Sequence, residues 1–272
     1  NTASAENASA FGYVNEASGL ASSALGFRNK AANENASAVG YGNNAGGVAS
    51  SAFGFSNVAK VDYASAFGYS NEASGLASSA VGFRNKAASE NASAVGYGNN
   101  ANALAASAVG YNNTAGGVGS STIGYNNTAT NENASAFGYG NTAGGLASSA
   151  FGFSNTASGD NANAFGYNNI ASGSKSNVFG TGNTVSGSSS TAVGTANEVA
   201  AENSTAIGNN NTISSGAENS AALGNNISIS LKDSVALGNN STATAINSVT
   251  GNSSYTKWAG VSDVVGVVSV GS

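Results

Sequence analysis

The chain has 272 residues and a net charge of −5, and only 8% of its residues are charged. It contains 38 glycines but no histidine, cysteine, proline or methionine. This composition excludes disulfides and thiolate chemistry, lacks the commonest general base and metal ligand, and supplies no clustered basic face for nucleic acid.

The repeat pattern is already under way at residues 1–3, which resemble the tail of a coil, and the chain stops just after a Val-rich run. We therefore expect a segment of a longer protein. No apolar run of about 18 residues occurs, so no helix of this chain is expected to span a membrane.

A five-residue motif, first seen as SAFGY at Ser9–Tyr13, organises the sequence. Its glycine recurs every fourteen residues from Gly12 to Gly208, then after sixteen residues at Gly224 and after fourteen more at Gly238. Such a period predicts a solenoid, in which each coil packs only on its neighbours. The regular array covers residues 4–242.

Each coil has a fixed order of residue types. An apolar residue precedes the glycine in every copy, and Ala precedes that residue except at Thr122 and Val178. A glycine in a helix interior lowers helix stability by about 1 kcal/mol relative to alanine. A glycine at the same place of every coil therefore disfavours a helical structure. Gly, Asn and Ser suit tight turns. The pattern predicts an all-β fold, a parallel β-roll of 14-residue coils with two short strands per coil.

Two regions are predicted. Residues 1–243 form the β-roll, with about 17 coils, and residues 244–272 form a transition piece that contains the only tryptophan, Trp258. Equivalent residues of stacked coils lie about 4.8 Å apart, so side-chain amides can form a hydrogen-bonded ladder and the roll is expected to be on the order of 80 Å long. The predicted ladder contains Asn15, Asn29, Asn43, Asn57, Asn71, Asn85, Asn99 and Asn113.

Alternation along the motif places Phe11 and Tyr13 on one face of the strand, and Ala10 and Gly12 on the other. Neither face is polar, so both are predicted to be covered, one by the roll interior and one by a partner chain. The Ala/Gly side would allow neighbouring rolls to approach closely, and the sequence leaves open which face is the roll interior and which is the interface. Ala80→Glu is then predicted to block assembly. The predicted core and interface residues are Ala10, Phe11, Ala24, Leu25, Ala66, Phe67, Ala80, Val81, Ala136, Phe137, Val193, Ile207, Leu223 and Leu237.

The repeats SVALG (residues 234–238), STAIG (204–208) and SAALG (220–224), with the closing VVSVGS (267–272), resemble the heads of YadA-like trimeric autotransporter adhesins. The resemblance implies a left-handed parallel β-roll, three chains side by side in a homotrimer, and a neck at the C-terminal end. It also implies a virulence-related adhesin on the outer membrane of a Gram-negative-type bacterium, attached to the membrane only through an anchor domain absent from this chain. Such a head would bind host matrix protein, glycan or other cell-surface ligands without catalysis or cofactor.

Other sites are weaker predictions. Glu16 and Glu72 are the same position of duplicated coils, so they are interpreted as solvated charges and not as a catalytic pair. The nine-residue calcium repeat of toxin β-rolls is absent, so no metal is expected. The aromatic residues from Tyr13 to Tyr167 are predicted to pack in the roll or between subunits, with a ligand-binding stripe as the alternative. An ice-binding or purely structural spacer solenoid remains the rival function.

Overall fold

The computed structural model describes residues 1–244 and 268–270. It divides into two compact units, Asn1–Ala147 and Ser148–Ser272. The fold is a parallel β-solenoid of about 17 turns with 14-residue coils, as the repeat predicts. The described part of the chain contains no helix, and hence none long and apolar enough to cross a lipid bilayer.

Each coil of the first unit contributes one long and one short strand to two separate parallel sheets. The long strands are Ser9–Tyr13, Ser23–Phe27, Ser37–Tyr41, Ser51–Phe55, Ser65–Tyr69, Ser79–Phe83, Ser93–Tyr97, Ser107–Tyr111, Ser121–Tyr125 and Ser135–Tyr139. The short strands are Thr2–Ala3, Glu16–Ala17, Lys30–Ala31, Asn44–Ala45, Val58–Ala59, Glu72–Ala73, Lys86–Ala87, Asn100–Ala101, Thr114–Ala115, Thr128–Ala129 and Thr142–Ala143.

The second unit repeats this arrangement. Its long strands are Ser149–Phe153, Asn163–Tyr167, Asn177–Thr181, Thr191–Thr195, Thr205–Asn209 and Ala221–Asn225, followed by the shorter Val235–Leu237 and Val268–Val270. Its short strands are Thr156–Ala157, Ile170–Ala171, Thr184–Val185, Glu198–Val199, Thr212–Ile213, Ser228–Ile229 and Thr242–Ala243.

The motif glycine is the fourth of the five residues of the long strand and pairs with the glycine of the next coil. Gly68 pairs with Gly82, for example, while Phe67 pairs with Val81. The φ angle of Gly68 is +117°, and a Cβ atom there would overlap the carbonyl oxygen of Gly82. Two backbones therefore approach at a distance that no side chain permits, which explains the glycine in every coil.

Two turns close each coil, and each has one residue in the left-handed region. Arg84 has a φ of 53° and Asn91 a φ of 56°. The Arg84 amide donates to the Tyr69 carbonyl at 2.9 Å, and the Asn91 amide donates to the Leu76 carbonyl at 2.9 Å. The turns thus extend the coil-to-coil hydrogen bonding of the strands, and Asn or Gly fits these places with the least strain.

The alanine face of the long strand is the roll interior. Ala66 and Ala80 are fully buried, together with the short-strand residue Ala73. The expectation that the Ala/Gly side allows neighbouring rolls to approach is therefore wrong, because this side is already closed within one chain. Ala80→Glu would break the coil itself, so it cannot test assembly. Larger residues such as Val185 and Ile213 fill the interior of the second unit.

The end of the second unit departs from strict repetition. The sixteen-residue step keeps the strands in register, since Thr205 pairs with Ala221 and Gly208 with Gly224. Val268–Val270 then pairs in parallel with Val235–Leu237. Most of the predicted transition piece, including Trp258, lies outside the described residues.

Candidate interaction surface

The long strands present an outward face made of two columns, which we call the front face. The apolar column contains the residue before each motif glycine, and the ring column contains the residue after it. Val81 and Val95 of the apolar column are each 37% exposed, and Tyr97 of the ring column is 41% exposed. Each coil therefore leaves apolar area in solvent beside a closed alanine interior.

The predicted core and interface residues separate into these two environments. Ala24, Ala66, Ala80 and Ala136 lie buried in the roll, and Ala10 in the first coil is half-buried. Their apolar neighbours lie on the front face as exposed or partly exposed side chains: Phe11, Leu25, Phe67, Val81, Phe137, Val193, Ile207, Leu223 and Leu237. The residues of the apolar column thus contribute nothing to the roll interior, which the alanines fill.

The ring column is a continuous stack in the first unit. Neighbouring ring centroids are separated by 5.1 Å at Tyr13 and Phe27, and by 4.8 Å at Tyr111 and Tyr125. The rings lie outside the roll, so the prediction that they pack inside it is wrong. Packing between subunits stays a prediction. The stacked rings are Tyr13, Phe27, Tyr41, Phe55, Tyr69, Phe83, Tyr97, Tyr111, Tyr125 and Tyr139.

This stacking limits how the ring column can bind a ligand. The planes of Tyr111 and Tyr125 differ by only 3°, so each ring covers a face of the next. What remains exposed along the column is mainly ring edges and hydroxyl groups. A sugar or base that requires an open aromatic face would find one only at the ends of a stack. Arg28 and Arg84 add positive charge at the column edge, with guanidinium carbons 5.1 Å from the centroids of Phe27 and Phe83.

The predicted asparagines lie inside the coil and are joined from coil to coil. The Asn43 amide nitrogen of the side chain donates to the Asn29 Oδ1 at 2.9 Å and to the carbonyls of Val39 and Gly54 at 2.9 and 2.7 Å. The Asn43 Oδ1 accepts the backbone N–H of Asn57 at 3.0 Å. One side chain therefore makes hydrogen bonds to several buried backbone groups. These bonds hold the long strand in place from the interior side of the coil.

The short strands carry a further column, which was not among the predictions from the sequence. In the first unit Thr114 pairs with Thr128, and Thr128 pairs with Thr142, so hydroxyl-bearing side chains follow one another along the sheet of short strands. We call these three residues the hydroxyl column. They are separated by fourteen positions and form no local Thr-x-Thr pattern, so only an alignment of the coils could have shown them.

Charged side chains are dispersed. Lys30 and Glu16 approach to 3.1 Å across neighbouring coils, and both are about half exposed, so the pair contributes little to stability. In the described residues no group of three or more acidic side chains lies close enough to hold a metal ion. Asn35 and Asn91, which lie in Asn-x-Ser sequences, are exposed turn residues with φ angles of 56°.

Comparison with known families gives one match. The model for the YadA head domain repeat (2 copies) matches residues 17–43, 45–71, 73–99, 115–141, 143–169, 186–211 and 232–249. Each of these segments except the last spans about two coils, and together they cover about two thirds of the chain. No curated protein matches the chain.

Proposed function

Because the chain belongs to the YadA head family, an adhesin-type domain, we propose that it is the head of a bacterial surface adhesin. The head is a left-handed β-roll that assembles as a homotrimer of three chains side by side, followed by a neck that includes Val268–Val270. It is displayed at the outer membrane and attaches the cell to host matrix, host cells or other bacteria. Its family and fold are of a structural adhesin kind and are not known for catalysis.

The main observation that supports a trimer is the exposed apolar surface of the front face. It leaves an apolar side chain partly or fully in solvent in successive coils, including Phe67, Val81 and Val95. Contiguous exposed apolar surface of this kind marks an interaction site in a soluble protein. The other side of the same strand is already closed, so the front face is the side that a partner chain covers.

Adhesion by such a head is multivalent. The coils repeat the same surface elements at the strand spacing, and three chains multiply them again. Linked weak contacts can raise the overall affinity by about 10²–10⁴ without any new contact. Binding therefore requires no deep pocket, which agrees with a surface composed of columns.

The assembly can be tested with two double variants. Val81→Glu with Val95→Glu places two carboxylates in the apolar column, where burial against a partner would be costly. Leu76→Glu with Leu104→Glu is the matched control, because these turn residues are 44% and 45% exposed and Glu90 occupies the equivalent place in the coil between them. Light scattering after size exclusion should give three times the 26.1 kDa chain mass for the wild type and the control. The Val variant should elute as a monomer or fail to assemble.

A folded wild-type monomer would overturn the trimer, and a trimeric Val variant would remove the front face as its interface. Adhesion itself is tested by binding of the wild type and both variants to immobilised matrix proteins, glycan arrays and whole cells. The wild type and the Leu control should bind alike, and the Val variant at least about tenfold more weakly, because avidity is lost. Absence of binding to every surface would contradict an adhesive head.

The hydroxyl column favours one second candidate, an ice-binding solenoid. Thr114, Thr128 and Thr142 form a regular row on a parallel sheet, and such a row could order water at the coil spacing. Thermal hysteresis separates the two functions. An adhesin gives none, whereas an ice-binding surface gives hysteresis that Thr128→Lys abolishes.

A further inference from the structure

We propose that Tyr63, with Asp62 and Lys60 beside it, forms a binding site for a neutral glycan, in which a pyranose ring stacks on the tyrosine. The three residues lie in the turn between the strands Val58–Ala59 and Ser65–Tyr69. The proposal rests on the adhesive function proposed above and gives it a ligand class. It does not need the front face to be free, because Tyr63 belongs to neither the apolar column nor the ring column.

Tyr63 breaks the pattern of its turn. Its φ of 58° lies in the left-handed region, which bulky side chains seldom occupy. At this place each of the other coils has Asn, Ala, Gly, Ser, Lys or Asp. Bulky residues that are held in such a conformation are concentrated at functional sites. The ring strains a turn in which asparagine would fit, so it points to a role outside folding.

The ring of Tyr63 is accessible on this turn. The residue is 62% exposed, and the equivalent residues of the two adjacent coils are Ala49 and Ala77. No neighbouring ring therefore covers it, in contrast to the stacked ring column. The next side chains at this place are Asn35 and Asn91, two coils away and about 9.6 Å from Tyr63 along the roll. The place beside each alanine thus leaves room for a sugar ring.

Two charged groups flank the ring and can bind sugar hydroxyls. Asp62 Oδ1 accepts the N–H of Val48 at 2.8 Å, which fixes the carboxylate to the preceding coil. Among the described residues its second oxygen accepts no hydrogen bond, and Lys60 forms no ion pair. A carboxylate accepts and an ammonium group donates, so together they match both functions of a hydroxyl. The Tyr63 N–H also donates to the Val48 carbonyl at 2.9 Å, so the turn is held in place before a ligand binds.

The charges along this edge of the roll favour a neutral sugar. Glu34 and Glu90 occupy the place of Asp62 in the coils two steps away on either side, and both are exposed. Lys60 is the one basic residue in the turns between them. Carboxylates therefore outnumber ammonium groups here, and a sialylated or sulfated glycan meets like charge.

The test uses the assembled protein on an array of polyvalent neutral glycans that end in galactose, glucose or N-acetylglucosamine, with their sialylated and sulfated counterparts. The wild type should bind at least one neutral glycan, and should bind its charged counterparts more weakly. Each trimer would carry three copies of Tyr63, so polyvalent probes raise a weak single contact to a measurable one.

Three variants separate the ring from the fold. Tyr63→Asn installs the residue that Asn35 and Asn91 have in the same turn conformation. It should keep the trimer, melt at the same or a higher temperature, and bind the neutral glycan at least about tenfold more weakly. Tyr63→Phe should retain binding, because stacking needs no hydroxyl. Ala105→Asn is the matched control: it makes the equivalent change in a turn without a ring and should bind like the wild type.

Equal binding by Tyr63→Asn and Ala105→Asn would overturn the site, and so would stronger binding to the charged glycans. Loss of the trimer in Tyr63→Asn would place Tyr63 in the interface and would also overturn it. A wild type that binds matrix proteins or cells but no neutral glycan removes this site and leaves the adhesive function in place. A wild type that binds none of these surfaces contradicts both.

Discussion

Gly96 and Gly98 lie two residues apart in one coil but have different backbone requirements. Gly96, in the long strand, has a φ of +119°, and a Cβ there would overlap the carbonyl oxygen of Gly110. Gly98, in the turn, has a φ of +63°, and its Cβ would make an ordinary contact of 3.5 Å with Asn112 Oδ1. Asn112 itself occupies the equivalent turn place with a φ of 56°. Glycine is therefore required in the strand and only favoured in the turn.

This difference gives a paired prediction. Gly96→Ala should lower stability by more than about 3 kcal/mol, because backbone strain and overlap with the next coil act together. Gly98→Asn should leave stability within about 0.5 kcal/mol, since asparagine is native at this place in other coils. Thermal unfolding followed by circular dichroism measures both. Similar melting temperatures for the two variants would show that the strand glycine is not constrained by its neighbour.

The asparagine ladder gives a second residue-scale prediction. Asn43 is 1% exposed and bonds to several backbone groups, whereas its sequence neighbour Asn44 points outward and is exposed. Asn43→Ala leaves buried carbonyls and an N–H without partners and should cost about 1–3 kcal/mol. Asn44→Ala should change stability by less than about 0.5 kcal/mol. If denaturant unfolding gives equal losses, the ladder has no special role in stability.

At the scale of the coil, the repeat allowed strands, turns and stacking to be predicted, but not which face of the long strand is buried. Both faces are apolar, so alternation alone cannot choose between them. The structure shows that a coil closed by a two-residue strand is narrow: it accepts Ala66 and Ala80, while Phe67 and Tyr69 remain outside. The reason why this strand needs a glycine was likewise not visible in the sequence, because it is a close approach of backbones that are fourteen residues apart.

The larger side chains buried in the second unit give an element-scale prediction. Ile213 is fully buried on a short strand where the first unit has alanine, and Ile170 is 42% exposed on a short strand of the same unit. Ile213→Ala should cost about 2–5 kcal/mol, because it removes buried contacts and leaves a cavity. Ile170→Ala should cost less than about 1 kcal/mol. Equal effects in thermal unfolding would mean that the interior of this unit repacks around small residues.

For the whole molecule, the repeat and its motif were enough to identify the family, but the sequence does not identify a ligand. The surface of the roll carries columns whose members are one coil apart, such as Thr114, Thr128 and Thr142. A local sequence motif consists of residues that are close in sequence, so it does not include columns whose members are fourteen positions apart. The stacked rings illustrate the same limit, since an aromatic residue in each coil did not show that the ring faces are covered by other rings.

The nature of the front face leads to the last prediction, which concerns assembly in salt. No charged residue occupies the apolar column or the ring column in any of the seventeen coils, and the Lys30–Glu16 pair lies within one chain. Assembly should therefore be driven by apolar burial, which sodium chloride screens little and sulfate strengthens. In sedimentation velocity the trimer should persist from about 0.05 to about 1 M sodium chloride and should resist dilution better in sulfate. Dissociation as sodium chloride rises would show instead that ion pairs between chains hold the assembly, and the front face would then lose its place as the interface.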